Sequence, residues 1–437
     1  MSTLLDASAG RGAPRARLHG DVHACGLDFG TSNTTLGLVG AEGAVALAPL
    51  EGEAVTIPSA VFYPPAEAPQ IGRAAMGAYV GGEEGRLMRS LKSVLGSALI
   101  DEATPIGRRR VPFRAVIADY LAEVKARGER AAGGPIERVV HGRPVFFVDD
   151  DAEGDRKAED TLAEIARSIG FKEISFQYEP IAAALDYERQ VGTEELALIA
   201  DIGGGTSDFS IVRLSPERHR RTERGEDILA NEGVRIGGTD MDRVLSLGVV
   251  MPLLGYRSAT TRPGRDIPSG YYVDLATWSA INRLYRPGLL AELRTVRREA
   301  AEPRLIERLI RVVEEERGHT LAMEVEGAKI GLSEQEPQAI PLAWVETGLS
   351  AALDRAGLAR HTGDLAVRIG AKVSACLAQA GVAAEAIDAV FLTGGSTKLA
   401  PVRAAILAAL PEARVVEGDT FGSVGLGLAV EAARRYA

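Results

Sequence analysis

Two stretches of the chain share one pattern of apolar and polar positions. Cys25-Gly-Leu-Asp-Phe-Gly-Thr-Ser-Asn-Thr-Thr-Leu-Gly-Leu-Val39 holds an apolar run closing on Asp28, a Gly-containing turn and a second apolar run. Leu198-Ile-Ala-Asp-Ile-Gly-Gly-Gly-Thr-Ser-Asp-Phe-Ser-Ile-Val212 repeats that order about 170 residues later. Each predicts a strand, a tight turn and a strand. An echo at this distance is no solenoid repeat. It points instead to two related lobes, each with its own sheet. A third run, Ala389-Val-Phe-Leu-Thr-Gly-Gly-Ser396, predicts a strand leading into another Gly turn.

Helical periodicity fills much of the rest. Leu162, Ile165, Ala166 and Ile169 recur at i, i+3, i+4 and i+7, with Gly170 behind them, predicting a helix over Thr161–Phe171. Val139–Val148 reads as an apolar strand broken by Gly142 and Pro144, and Ile181–Tyr187 as a short helix just after Pro180. Residues 213–330 read as mostly helical and charge-rich, with Ser258–Gly270 a loop. Helices are also expected from about Pro401 to Leu410 and over Ser423–Tyr436.

Composition narrows the class. The 437 residues are 46% apolar, enough for a sizeable core. The formal charge of −10 argues against a nucleic-acid groove. Cys25 and Cys376 lie far apart without a C-x-x-C pair, as expected of buried thiols in a reducing compartment. The start of the chain has arginines but no apolar leader, and the longest apolar stretch, near Leu245–Leu254, is too short to span a bilayer. The expectation is a cytoplasmic protein that engages neither nucleic acid nor membrane, with residues 1–20 a flexible tail.

The Gly turns carry the chemistry. Successive backbone N–H groups without a Cβ in the way form a cradle for phosphate oxygens. An Asp at a strand end offers a hard oxygen to Mg²⁺, often through water. Asp28 with Gly30, Thr31, Ser32 and Asn33, and Asp201 with Gly203, Gly204, Gly205 and Thr206, therefore read as two facing phosphate clamps with two metal-facing carboxylates.

These motifs resemble those of the DnaK-type, seventy-kilodalton heat-shock chaperones of the actin-like and sugar-kinase superfamily. Leu27-Asp-Phe-Gly-Thr-Ser-Asn33 resembles their first phosphate motif and Asp201-Ile-Gly-Gly-Gly-Thr-Ser-Asp208 their second. Glu179-Pro-Ile-Ala-Ala-Ala-Leu-Asp186 resembles the connecting element, and Val390-Phe-Leu-Thr-Gly-Gly-Ser-Thr-Lys398 the adenosine motif. The order is the family's, from about residue 22 to the end, and the short YegD-like relatives are the most similar. The resemblance implies an α/β, two-lobed actin-like ATPase fold of duplicated ribonuclease H-like domains, with ATP or ADP and Mg²⁺ in a cleft between lobes. It divides the chain into lobe I at 21–190, with a small subdomain at about 51–112, and lobe II at 191–437, with a helical subdomain at about 238–335. By the same resemblance, no peptide-binding domain is expected within these residues.

Roles follow by the same resemblance. Asp28 and Asp201 would hold Mg²⁺ through waters. Thr31, Ser32, Asn33 and Gly203–Thr206 would grip phosphates, with Thr206 near the γ-phosphate and the attacking water. Lys92 would reach the γ-phosphate, and Glu179 and Asp208 would orient water and metal. Glu326 and Lys329 would contact the ribose, and Gly237, Gly238 and Ser333 would also bind the nucleotide; Gly394, Gly395, Ser396, Lys398 and Asp419 would line the adenine side. Only seven of the 50 basic residues are lysine, yet three of those are Lys92, Lys329 and Lys398. A compact ammonium is not interchangeable with a planar guanidinium at a tight contact. Ile330 stands where the family carries an arginine stacked on adenine, and Leu245–Arg317 departs from the family pattern. The implied function is a slow ATPase acting as a chaperone-related switch through lobe closure, served by a co-chaperone or exchange factor. A sugar-type kinase and a filament-forming actin-like ATPase are the alternatives.

Other signals carry less. His19 and His23 lack the Glu of a zinc helix motif. The acidic run from Asp149 to Asp160 breaks the calcium-loop pattern and reads as a cap on the next helix. Arg108–Arg110 and Arg218–Arg221 read as loop surface, and Trp278, Trp344, Tyr271 and Tyr272 as packing.

Overall fold

The computed structural model describes residues 22–95, 97–106, 109–148, 151–333, 335–416 and 422–436. They form two compact units. The larger takes residues 22–235, 371–397 and 407–436; the other takes residues 236–370 and 398–406.

The larger unit contains two sheets. In the first, β1 (Ala24–Phe29) runs antiparallel to β2 (Asn33–Val39), which also pairs with β3 (Val45–Leu47) and β4 (Thr56–Pro58). On its other side β1 runs parallel to β5 (Arg138–Arg143), and β5 parallel to β6 (Glu173–Tyr178). In the second, β7 (Glu195–Ile202) is antiparallel to β8 (Ser207–Leu214) and β8 to β9 (Ile228–Val234). β7 is parallel to β10 (Ala389–Thr393), and β10 to β11 (Arg414–Val416). Leaving aside β4, which pairs with β2 off the main path, and numbering the remaining strands of each sheet by chain order, both read 3-2-1-4-5, with the same pairing directions. The echo in the sequence is thus a duplication of a whole sheet, not of a hairpin alone.

Helices follow from burial. α1 (Phe113–Ala132) and α2 (Ala152–Ser168) cover one face of the first sheet, around Leu27, Val116, Tyr120, Val139 and Leu162. α2 begins nine residues before the predicted Thr161. Its first turns carry charge on an open face and so show no apolar period. Asp151 starts the helix by accepting from the amides of Glu153 and Gly154. β9 likewise interrupts the stretch expected to be mostly helical; Asn231 and Glu232 hide its alternation. The stretch at Ser258–Gly270 is irregular, with a bridge between Ala259 and Asp266.

A second core contains the residues of α3 (Glu179–Glu188) and α4 (Ser423–Tyr436), together with residues of both sheets. α4 rests on β1, β2, β5 and α3, and small residues let the backbones touch. A Cβ at Gly427 would lie 1.9 Å from the carbonyl oxygen of Ala182. Gly427→Ala should therefore destabilise the fold by about 3 kcal/mol or more. Chemical denaturation is the check, and an unchanged midpoint would contradict this account of the packing.

Among its described residues the smaller unit is mostly helical, with the hairpin Gln338–Pro341 and Ser350–Leu353 in addition to the irregular stretch. Its helix Pro303–Glu314 buries Ile306, Leu309, Ile310 and Val313 at i, i+3, i+4 and i+7, the spacing of a single apolar stripe. Cys25 and Cys376, both in the larger unit, are buried and free. Among the described residues no helix is long and apolar enough to cross a membrane.

Candidate functional site

The hairpins β1–β2 and β7–β8 have matching register. The last strand pairs are Phe29 with Thr34 and Ile202 with Ser207, leaving four-residue loops at 30–33 and 203–206. One pair earlier, Asp28 faces Thr35 and Asp201 faces Asp208, so Asp28 and Asp201 occupy equivalent places. Thr206, at the end of its loop, is the positional counterpart of Asn33 rather than of Thr31. It closes its loop by accepting from the Gly203 amide at 2.9 Å.

The loops meet. A Cβ on Gly204 would fall 2.3 Å from Oγ of Ser32, so a larger residue here would force the Ser32 hydroxyl aside. The turn after β10 joins them: Gly394 has φ of 80°, and a Cβ there would strike the Ile202 carbonyl at 2.4 Å and Asp201 Oδ1 at 2.7 Å. Ser396 donates to the Gly203 carbonyl at 3.3 Å. Three Gly turns predicted separately thus converge within the larger unit.

Charged side chains gather beside them. Lys92 sits on the short 3₁₀ turn Leu91–Val94, reached through Ser90 in the left-handed region at φ 56°. It pairs with Glu179, on the first turn of α3, and both side chains are largely buried. Gly142 of β5 makes room: a Cβ there would lie 3.3 Å from Glu179 Cγ. Burial, then Glu179 and Asp201, push the Asp28 carboxyl up to about 8 against the pull of Lys92. Burial, then Asp208 and Glu179, push Asp201 up to about 7. Burial alone would lower Lys92, but Glu179, Asp28 and Asp201 outweigh it and hold the ammonium above its ordinary value. Several carboxylates thus crowd around one ammonium, and the site favours an added positive charge. Among the described residues no three acidic or histidine side chains converge into a direct metal cage. A cation here would be held by Asp28 and Asp201 through water, which suits a hard ion such as Mg²⁺.

Thr31, Ser32, Asn33, Gly203, Gly204, Gly205, Thr206, Gly394 and Gly395 line the loops half-buried, Ser396 is buried and Asp208 is exposed. Gly237, Gly238, Glu326, Lys329, Ser333 and Lys398 belong to the smaller unit. There Lys329 donates to the Gly238 carbonyl at 3.1 Å and pairs with Asp242, while Lys398 and Ile330 are exposed. Asp419 lies outside the described residues. Sequence reasoning takes Gly142 only for a break in a strand and passes over Ser59. Ser59, between β4 and the strand Ala60–Tyr63, donates to the Gly30 carbonyl at 2.7 Å. The Thr-Ile-Pro-Ser order gives no hint of a partner 29 residues upstream.

The Hsp70 protein family model matches residues 24–246 and 311–433, most of the chain and every element of the duplicated sheets. The chain belongs to the Hsp70 family. Its paired sheets are accordingly those of the actin-like ATPase fold. The interruption at 247–310 falls inside the Leu245–Arg317 stretch that departs from the Hsp70 pattern in sequence. Among similar Hsp70-type proteins, the Chaperone protein HscA homolog of Pseudomonas aeruginosa strain UCBPP-PA14 is 32% identical over 55% of this chain and 39% of its own length. The Chaperone protein HscA homolog of Azotobacter vinelandii is 31% identical over 52% and 37%. The Chaperone protein HscA of Citrobacter koseri is 30% identical over 51% and 37%. The chain spans less than half the length of these curated relatives.

Proposed function

We propose that this Hsp70-family chain binds Mg·ATP on the paired hairpins and hydrolyses it slowly as a nucleotide-dependent switch. The observation that carries the reading is the meeting of Ser32 and Gly204 beside the cluster of Asp28, Lys92, Glu179 and Asp201. Two cradles of backbone amides facing one another suit a chain of phosphates better than a single anion. Asp28 and Asp201 would hold Mg²⁺, which neutralises charge on the phosphate oxygens when bound. Lys92 would release Glu179 in part to meet the terminal phosphate. Glu179 and Asp208 would then orient the attacking water, with Thr206 holding it near the phosphorus. Phosphoryl transfer asks mainly for such positioning and charge stabilisation. The terminal phosphate would touch both hairpins and the remaining diphosphate fewer groups, a difference that can bias two arrangements of the paired sheets.

The relatives are named as chaperones, so a chaperone-related role, a cytoplasmic setting and a co-chaperone or exchange-factor partner belong to this proposal, as does kinship with the short YegD-like proteins. Calorimetric titration with Mg·ATP tests the binding step. The wild type should bind, and Asp201→Ala should weaken binding by about tenfold or more, the effect of losing one charge-assisted contact. Equal affinity in the two proteins would remove Asp201 from the site.

A further inference from the structure

We infer that Ser59 is a positioning residue that turns the amides of the first hairpin loop toward the phosphates; the inference rests on the Mg·ATP reading. Ser59 grips the loop at both ends. Its amide donates to the Ser32 carbonyl at 2.9 Å, and its hydroxyl donates to the Gly30 carbonyl at 2.7 Å. A peptide plane points its N–H opposite to its C=O. Drawing the Gly30 and Ser32 carbonyls down onto Ser59 therefore turns the N–H groups of Thr31 and Asn33 the other way. A loop of four residues with a glycine at its start has other conformations open to it. The β1–β2 pairing, which ends at Phe29 and Thr34, does not by itself select the one in which those amides are presented together.

The hydroxyl of Ser59 is itself held. Thr34 Oγ1 lies 3.1 Å from Ser59 Oγ, and both side chains are buried. Because Ser59 gives its proton to Gly30, Thr34 donates to Ser59. The Tyr120 hydroxyl stands near this pair, 3.5 Å from the Ile57 carbonyl, with its ring against Phe29. The pairing of Thr34 with Ile57 across β2 and β4 sets Ser59 under the loop. Three hydroxyls on α1, β2 and the end of β4 thus hold the loop from beneath, away from the nucleotide. Such a support costs little in a water-excluded place, since each hydroxyl has a partner.

The test is titration of wild type, Ser59→Ala, Ser59→Thr and Thr34→Val with Mg·ADP and, separately, with adenosine. Loss of one well-buried hydrogen bond to the loop should raise the Kd for Mg·ADP by about tenfold in Ser59→Ala, with adenosine affinity unchanged. Ser59→Thr, which keeps the hydroxyl, should restore the wild-type ratio. Thr34→Val, which keeps the shape, should shift that ratio in the same direction by about threefold, and serves if Ser59→Ala does not fold. A Ser59→Ala protein that binds Mg·ADP like wild type overturns the inference while leaving the reading of the site intact. So does one that loses both ligands in parallel with its stability, because a purely structural role predicts that. A wild type that binds adenosine but not Mg·ADP overturns the phosphate reading itself.

Discussion

Lys92→Ala should slow single-turnover hydrolysis of Mg·ATP by about 10²–10³-fold while leaving its Kd within a few-fold. Lys92 is the ammonium that Asp28, Glu179 and Asp201 act on, and its partner here is Glu179. On the proposed reading, leaving Glu179 for the nucleotide would lose one ion pair and gain another, so binding should change little. Charge that develops on the terminal phosphate in the transition state has no such compensation once the ammonium is gone. The effect therefore falls on the chemical step and not on affinity. Rapid-quench measurement with enzyme in excess separates the two. A variant that hydrolyses at the wild-type rate would place Lys92 outside the reaction and leave its pair with Glu179 a structural contact.

The parts of this arrangement differ in how plainly the chain displays them. The two hairpins are legible because an apolar run, an Asp at the strand end and glycine at the turn all fall within a dozen residues. Their repetition announces the duplicated sheet. What joins the hairpins is not legible. The close approach of Gly204 to Ser32 depends on two loops about 170 residues apart, and Gly204 by itself reads as one more turn glycine. Gly142 looks like a flaw in a strand, yet it vacates the space that Glu179 enters. Ser59 carries no pattern, because its partners come from another strand and from α1. The first turns of α2 escape the periodicity because Glu153, Asp155 and Arg156 face outward or pair with neighbours, as Asp155 does with Arg143. Local pattern reports what a segment is. It does not report what the segment touches.

The crowding of carboxylates has a consequence for stability. Without added metal, the wild type should lose stability steadily from pH 5 to about pH 8 and level off above it, by on the order of a few kcal/mol relative to an Asp28→Asn/Asp201→Asn double variant. The sign follows from the raised values. Asp28 and Asp201 have ordinary carboxyl values near 3.8 when unfolded and about 8 and about 7 in the fold. Each holds its proton more tightly folded than unfolded. Their contribution is therefore fully present below about pH 4 and is lost as pH rises through 7 and 8, where unfolding relieves the repulsion among ionised groups. The asparagine variant has no such charge to relieve and should overtake the wild type at the alkaline end. Mg²⁺ should reverse the loss in the wild type, and do so more at pH 9 than at pH 5, because the ion takes the place that protons hold at low pH. It should do nothing comparable for the variant. Urea denaturation across this range, with and without millimolar Mg²⁺, reads all of these effects. Parallel curves for the two proteins would mean that Asp28 and Asp201 ionise without strain, and the case for a cation between them would lose its physical basis.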